Sequence, residues 1–293
     1  MRIAHLILTY TDPHQTERMI KRLSRENFDF YIHVDKKFDI QPHLFLSELP
    51  NVYFIKNRTK VDWAGFSTVM ATISCIREIA ATGIRYDFIN FLSGQDYPIK
   101  SAGYINDFLA RHPGKQFLYC RDIINEWQEG LIRLQGYYLT TFDFRGKYLV
   151  EKLINKILPK RKIPYGLHPY GGSMFWMLSM DAALHVADRM KEDKKLRRFF
   201  SFCWGSDEVV FQTILMNSTY KNNVINDNYR YIDWSMGGAN PKILNTDDAE
   251  KLLQSDMLFA RKFNINTNPE ILDIIDEYIT TNGEVNSDTN IQR

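Results

Sequence analysis

Short runs of bulky apolar residues recur through the first hundred positions. Each is followed by a polar break and then by apolar residues at helical spacing. Ile3–Thr9, Asp29–Val34, Asn51–Ile55 and Phe88–Leu92 read as buried strands. From Pro13 onward, Met19, Ile20 and Leu23 share one helical face, with Asp12 placed to cap. After Gly65, Val69, Ile73, Ile76 and Ile79 do the same. Pro98 ends the fourth strand, and Ser101 is placed to cap the helix that follows. This alternation predicts a mostly parallel sheet with helices on both faces.

The second half is less regular. Phe117–Cys120 and the stretch from Tyr170 to Leu178 read as strands, with Asp181 capping the next helix. Ser206 or Asp207 caps a helix predicted from Glu208 to Leu215. Asp247 and Asp248 are capping acids of another helix, and Pro269–Tyr278 is the last. Residues 121–168 are basic and aromatic without a clean period, and 281–293 form a polar tail expected to fray. The expected organisation is one domain over 1–280. Residues 1–115 form its nucleotide-binding half, and 116–280 its acceptor and catalytic half.

The fourth strand spills into Ser93-Gly94-Gln95-Asp96. Open α/β sheets bind ligands at such carboxyl ends. Gly94 supplies the backbone freedom for a sharp turn. Asp35 ends the second strand, where an acid reads either as a ribose or base partner or as a solvated loop residue beside Lys36 and Lys37.

Composition narrows the classes. A net charge of +2 over 293 residues gives no electrostatic case for nucleic acid. Cys75, Cys120 and Cys203 lack the spacing of a disulfide framework or zinc site. Neither Gly-x-Gly-x-x-Gly nor a P-loop is present, which disfavours dehydrogenases and P-loop enzymes. Asp-x-Asp is also absent. With no signal-like start and no apolar run of spanning length, the expected location is the cytoplasm, or the inner face of the membrane as a peripheral protein.

Six motifs in order resemble the core-2/I-branching β-1,6-N-acetylglucosaminyltransferase family, glycosyltransferase family 14, which includes the peptide O-xylosyltransferases. They are His33-Val34-Asp35-Lys36; Trp63, Gly65, Ser67, Val69 and Ala71 at alternate positions; and Asn90 through Lys100. Gly172-Ser173 with Phe175-Trp176, then Ser206-Asp207-Glu208 with Phe211-Gln212-Thr213, and Phe259-Ala260-Arg261-Lys262-Phe263 complete the set. The resemblance implies a GT-A-like, Rossmann-type α/β fold and an inverting transferase that uses a UDP-sugar and no metal or other cofactor. UDP-N-acetylglucosamine is the implied donor, UDP-xylose the runner-up, and a glycan or lipid-linked glycan the acceptor partner. An inactive UDP-sugar-binding relative is the alternative. The chain shows none of the membrane anchor and disulfides of the eukaryotic relatives, so a bacterial-type role in surface polysaccharide synthesis is the expectation.

As residues alone, Ser206-Asp207-Glu208 is an N-terminal helix signal; the resemblance makes Glu208 the general base. A helix N-terminus would favour its ionised form. Matching the family's carboxyl-terminal cations puts Arg230 and Lys262 on the diphosphate, with Arg261 one register away. Leu8, Tyr10 and Asp35 are assigned to the nucleotide. Trp63, Ser93, Gln95, Asp96, Tyr97, Trp127, Arg133 and Ser173 are assigned to donor and acceptor. Lys147, Lys152, Lys156, Lys160, Arg161 and Lys162 form a basic patch. It reads as a solvated helix face, or as attraction to anionic lipid or a lipid-linked diphosphate acceptor.

Overall fold

The computed structural model describes residues 1–288. A seven-stranded sheet runs in the order β3-β2-β1-β4-β7-β6-β8. Its strands are β1 (Ile3–Thr9), β2 (Phe28–Val34), β3 (Val52–Phe54), β4 (Phe88–Ser93), β6 (Gln116–Asp122), β7 (Tyr170–Ser179) and β8 (Val224–Ile225). All run parallel except β7, which is antiparallel to both its neighbours. A smaller sheet packs β10 (Phe259–Arg261) between β5 (Asp96–Pro98) and β9 (Arg230–Ile232). The predicted α/β architecture is present, and the small sheet is an addition to it.

Side-chain alternation explains the layers. Ala4 and Leu6 of β1, Ile89 and Phe91 of β4, and Trp176 and Leu178 of β7 enter one core. That core is closed by the helices Phe66–Ala80, Met180–Glu192 and Val210–Met216. Ile3, Ile7, Phe88, Leu92 and Met177 enter the opposite core, under Pro13–Leu23, Ala102–Ala110 and Glu270–Asp288. Strands buried on both faces have to be apolar at nearly every position, which is how they read.

The predicted caps form at Asp12, which accepts from His14 N, and at Ser101, which accepts from Tyr104 N. Others move. Ser179, not Asp181, caps the helix after β7. Asn245 caps the turn at Thr246–Asp248, and Asp248 completes its capping box. The final helix continues past Tyr278 to Asp288, so part of the expected tail is helical; 289–293 lie outside the described residues. Among the described residues no helix is long and apolar enough to cross a membrane.

Arg230 ties the two sheets together. From β9 its guanidinium donates to Asn90 Oδ1 (2.6 Å) and Phe91 O (2.7 Å) of β4, and to Asn228 O (2.7 Å). It is buried, and burial lowers its pKa to about 10. The same Asn90 donates to His5 Nδ1 on β1 (3.1 Å), and His5 is held neutral because burial drives its pKa down to about 3. Replacing Arg230 with leucine strands two carbonyls and an amide oxygen in the core. The Arg230→Leu variant should lose about 2–4 kcal/mol of stability, read as a melting temperature several degrees lower. An unchanged melting temperature would show that this tie is not needed.

Candidate active site

A cleft of about 380 Å³ opens at the carboxyl ends of β1, β2 and β4. Leu8, Tyr10, Asp35, Trp63, Ser93, Gln95, Glu208 and Lys262 all line it, so eight of the sequence-predicted residues meet in one place. His33, Lys37, Thr68, Phe175, Trp204, Asp207, Asn240 and Arg261 also line it.

The loop after β4 is held by close contacts. Ser93 N donates to Asp96 Oδ2 (2.7 Å), and Gln95 N donates to Ser93 Oγ (3.2 Å). A Cβ at Gly94 would lie 2.2 Å from Thr9 Oγ1, so glycine is required there by proximity of the next strand rather than by a special φ. Buried Gln15 bridges this loop to the chain after β10, donating to Gly94 O (2.8 Å) and Phe263 O (3.2 Å) and accepting from Ile265 N (2.8 Å). Asp35 Oδ1 accepts from Lys37 N (3.0 Å) and Val61 N (3.2 Å), which fixes the carboxylate at the cleft wall. Exposed Tyr10 stacks on Phe38 at 5.1 Å, making a flat aromatic step at the rim.

Four predicted residues do structural work instead. Arg230 is the buried tie described above and lies outside the cleft lining. Asp96 is fully buried and pairs across β5–β10 with Arg261, Oδ1 to Nε at 3.6 Å. Tyr97 is also buried, its hydroxyl donating to Asp276 Oδ1 (2.7 Å), and burial raises its pKa. Ser173 Oγ accepts from Phe175 N (3.3 Å) within β7. The glycines before it serve packing: a Cβ at Gly172 would meet Tyr119 O at 2.4 Å.

Arg261, and not Arg230, lines the cleft. Its side chain is 14% exposed and lies over the Phe175 ring at 4.0 Å. Its Nε makes no hydrogen bond among the described residues. Lys262 follows it into the cleft without an acidic partner among the described residues. Burial lowers the pKa of both, and Arg261 lowers that of Lys262 further. Asp96 acts on both Arg230 and Arg261, and Asp227 acts on Arg230 as well, which leaves Lys262 as the cation without an acid partner among the described residues.

Glu208 stands on a separate 3₁₀ turn, Ser206–Glu208, preceded by Gly205 at φ +66°. The helix begins only at Val210, because Val209 departs from helical geometry. Glu208 is therefore not in a first α-helical turn, and neither Ser206 nor Asp207 caps that helix. Its carboxyl is pushed up to about 7, first by burial and then by the neighbouring Asp207, with Arg133 opposing. This reverses the sequence expectation of a stabilised anion. Asp207 is itself raised to about 6 by burial, and its Oδ1 has no hydrogen-bond partner among the described residues.

Arg133 holds this carboxylate. Its Nη1 donates to Glu208 Oε2 at 2.9 Å, and its Nη2 to Glu129. The guanidinium lies between two indoles, 4.1 Å from Trp204 and 5.1 Å from Trp127. Arg121 covers Trp127 at 4.6 Å, and Trp63 meets Trp204 edge-on at 5.4 Å. Neither Trp127 nor Arg133 lines the cleft; they form a stacked ladder behind it. Sequence spacing does not show that they share one stack, because Trp204, which completes it, comes from a distant segment of the chain.

Among the described residues no cluster of three or more His, Cys, Asp or Glu is placed to hold a metal ion. A family model for the core-2/I-branching enzymes matches residues 3–257. The chain is 24% identical to the xylosyltransferase oxt of Drosophila melanogaster, over 90% of this chain and 32% of that protein. It is 26% identical to xylosyltransferase 2 of Homo sapiens, over 95% of this chain and 34% of that one. It thus spans about a third of the length of the curated relatives it matches. Among solved structures, the apo form of mouse xyloside xylosyltransferase 1 aligns with 90% of this chain and 99% of its own, at 12% identity and a TM-score of 0.44. On the match across residues 3–257, this chain belongs to the core-2/I-branching enzyme family.

Proposed function

We propose that this chain is an inverting glycosyltransferase that moves a sugar from a UDP-sugar to a hydroxyl of a glycan acceptor without a metal. The observation that carries this reading is one cleft lined by a carboxyl tuned to about 7 and by two cations, of which Lys262 has no acid partner among the described residues. Glu208 takes the acceptor proton as the hydroxyl oxygen attacks the anomeric carbon. The bond from that carbon to the diphosphate breaks, and its electrons leave with UDP. Arg261 and Lys262 meet the charge that develops there, as fixed cations already in place before the bond breaks. The Tyr10–Phe38 step and Asp35 supply a stacking face and an acceptor for the nucleoside.

Family resemblance favours UDP-N-acetylglucosamine as donor. The names of the curated relatives support UDP-xylose as a second reading. A UDP-release assay with both sugars, each in EDTA and in Mn²⁺, separates these readings. Turnover of one sugar in EDTA is expected; dependence on Mn²⁺ would overturn the metal-free mechanism. Silence with both sugars, with UDP still bound, would leave a binding-only relative.

Glu208→Gln should lower kcat by about 10²–10⁴-fold with donor affinity retained in calorimetry. Near-normal turnover would remove Glu208 from the role of base. A base acts only when ionised, and Glu208 is protonated below its raised pKa. Log kcat/KM should therefore climb with pH and level off above about 7. Arg133 favours the ionised form, so Arg133→Met should move that limb to higher pH; an unmoved limb would show that the limb does not belong to Glu208. Lys262→Ala and Arg261→Ala should each weaken UDP binding by about tenfold or more, whereas binding equal to wild type would place the diphosphate elsewhere.

A further inference from the structure

The helix Lys147–Ile157 is attached to the protein by its polar side. Asn155 donates to Tyr137 O (2.7 Å) and accepts from Tyr137 N (2.8 Å). Glu151, one turn earlier, accepts from Leu139 N (2.9 Å). At 100° per residue the opposite face carries Leu149, Val150, Leu153 and Ile157. None of the helix residues is buried, and Leu149 and Ile157 are 75% and 68% exposed. This inverts the usual arrangement, in which the apolar stripe faces the core.

Exposed apolar groups continue around it. Phe142 and Phe144 precede the helix, and Leu158 follows it and shares a shallow depression with exposed Ile132. Basic residues border the stripe: Lys152 and Lys156 on one flank, Lys147 on the other, with Lys160 and Lys162 beyond. None of these lysines is ion-paired among the described residues. Of the nearby acids, Glu151 is turned inward to Leu139, leaving Asp143. Arg161 drops out of the predicted patch, because its guanidinium is spent on Gly136 O and Phe199 O and lies over the Phe199 ring.

We propose that this helix docks the protein on an anionic bilayer surface, with its apolar stripe at the boundary of headgroups and acyl chains and its lysines against lipid phosphates. An apolar stripe alone would suit several occupants; the lysine borders select this one. A second copy is disfavoured, because antiparallel self-pairing sets each flank against its own copy, lysine against lysine. The inference is independent of the reading of the cleft.

The test is co-sedimentation of the full chain with phosphatidylcholine vesicles, with and without phosphatidylglycerol. The protein should pellet only with the anionic vesicles, and less so as salt rises. Lys152→Glu with Lys156→Glu should weaken binding by at least about tenfold. Leu149→Gln, Leu153→Gln and Ile157→Gln together should abolish it. Those three side chains already face solvent, so the melting temperature should be unchanged and serves as the folding control. Wild-type protein left in the supernatant, equal binding to neutral vesicles, or a triple variant that binds normally would each overturn the proposal. So would a concentration-dependent dimer, in sedimentation velocity, that the triple variant loses.

Discussion

Two guanidinium groups at the seam between the sheets share one buried carboxylate, Asp96, and the placing of the small sheet against the cleft depends on that contact. Arg230 spends its donors on Asn90, Phe91 and Asn228, which locks the small sheet against β4. Arg261, paired in register with Asp96 and with its Nε 3.6 Å from that carboxylate, lines the cleft. Burying cations without matching acids is costly, and a structure tolerates it where an anion will complete the site. On the proposed function, that anion is the diphosphate of the donor. The small sheet is thus the device that brings fixed positive charge to the ends of the large sheet's strands.

The opposite electrostatic problem is solved at Glu208. Burial and Asp207 push its proton affinity up, while Arg133 pulls it down. Arg133 is held in turn by stacking on Trp127 and Trp204. A carboxyl near 7 is ionised enough to accept a proton and basic enough to keep it through the transfer. Arg133 and Trp127 hold that carboxyl from outside the cleft lining, while Trp204 and Trp63 form part of the cleft wall. Arg121, Trp127 and Arg133 lie on the segment 121–139, whose far end holds the solvent-facing apolar helix.

Much of this was legible in the chain. β1 has the predicted limits, and Asp12 and Ser101 cap as expected, because strand periodicity and caps are decided by neighbours within a few residues. Of the eight predicted residues in the cleft, Leu8, Tyr10, Asp35, Ser93 and Gln95 meet because the carboxyl ends of β1, β2 and β4 lie side by side; Trp63, Glu208 and Lys262 are brought there by other segments. Where local signals competed, nearby residues won or lost by small margins. Ser179 outbid Asp181 for a cap two positions away, and a bend at Val209 parted Glu208 from the helix it was expected to open.

By itself the sequence determined the alternation of strand and helix, the two-sided burial of the sheet, the end of the sheet at which the cleft opens and, by its motifs, the family. The tertiary structure decided which of two cations, Arg230 or Arg261, reaches the cleft. It decided too that Asp96 and Tyr97 are buried props, that Glu208 is raised rather than lowered, and that the helix Lys147–Ile157 turns its apolar side to solvent. The reason is range. Periodicity and capping are set by residues a few positions apart, but β5, β9 and β10 meet from positions 96, 230 and 259. The burial and charge around a side chain are sums over such distant neighbours, and only the folded chain brings them together.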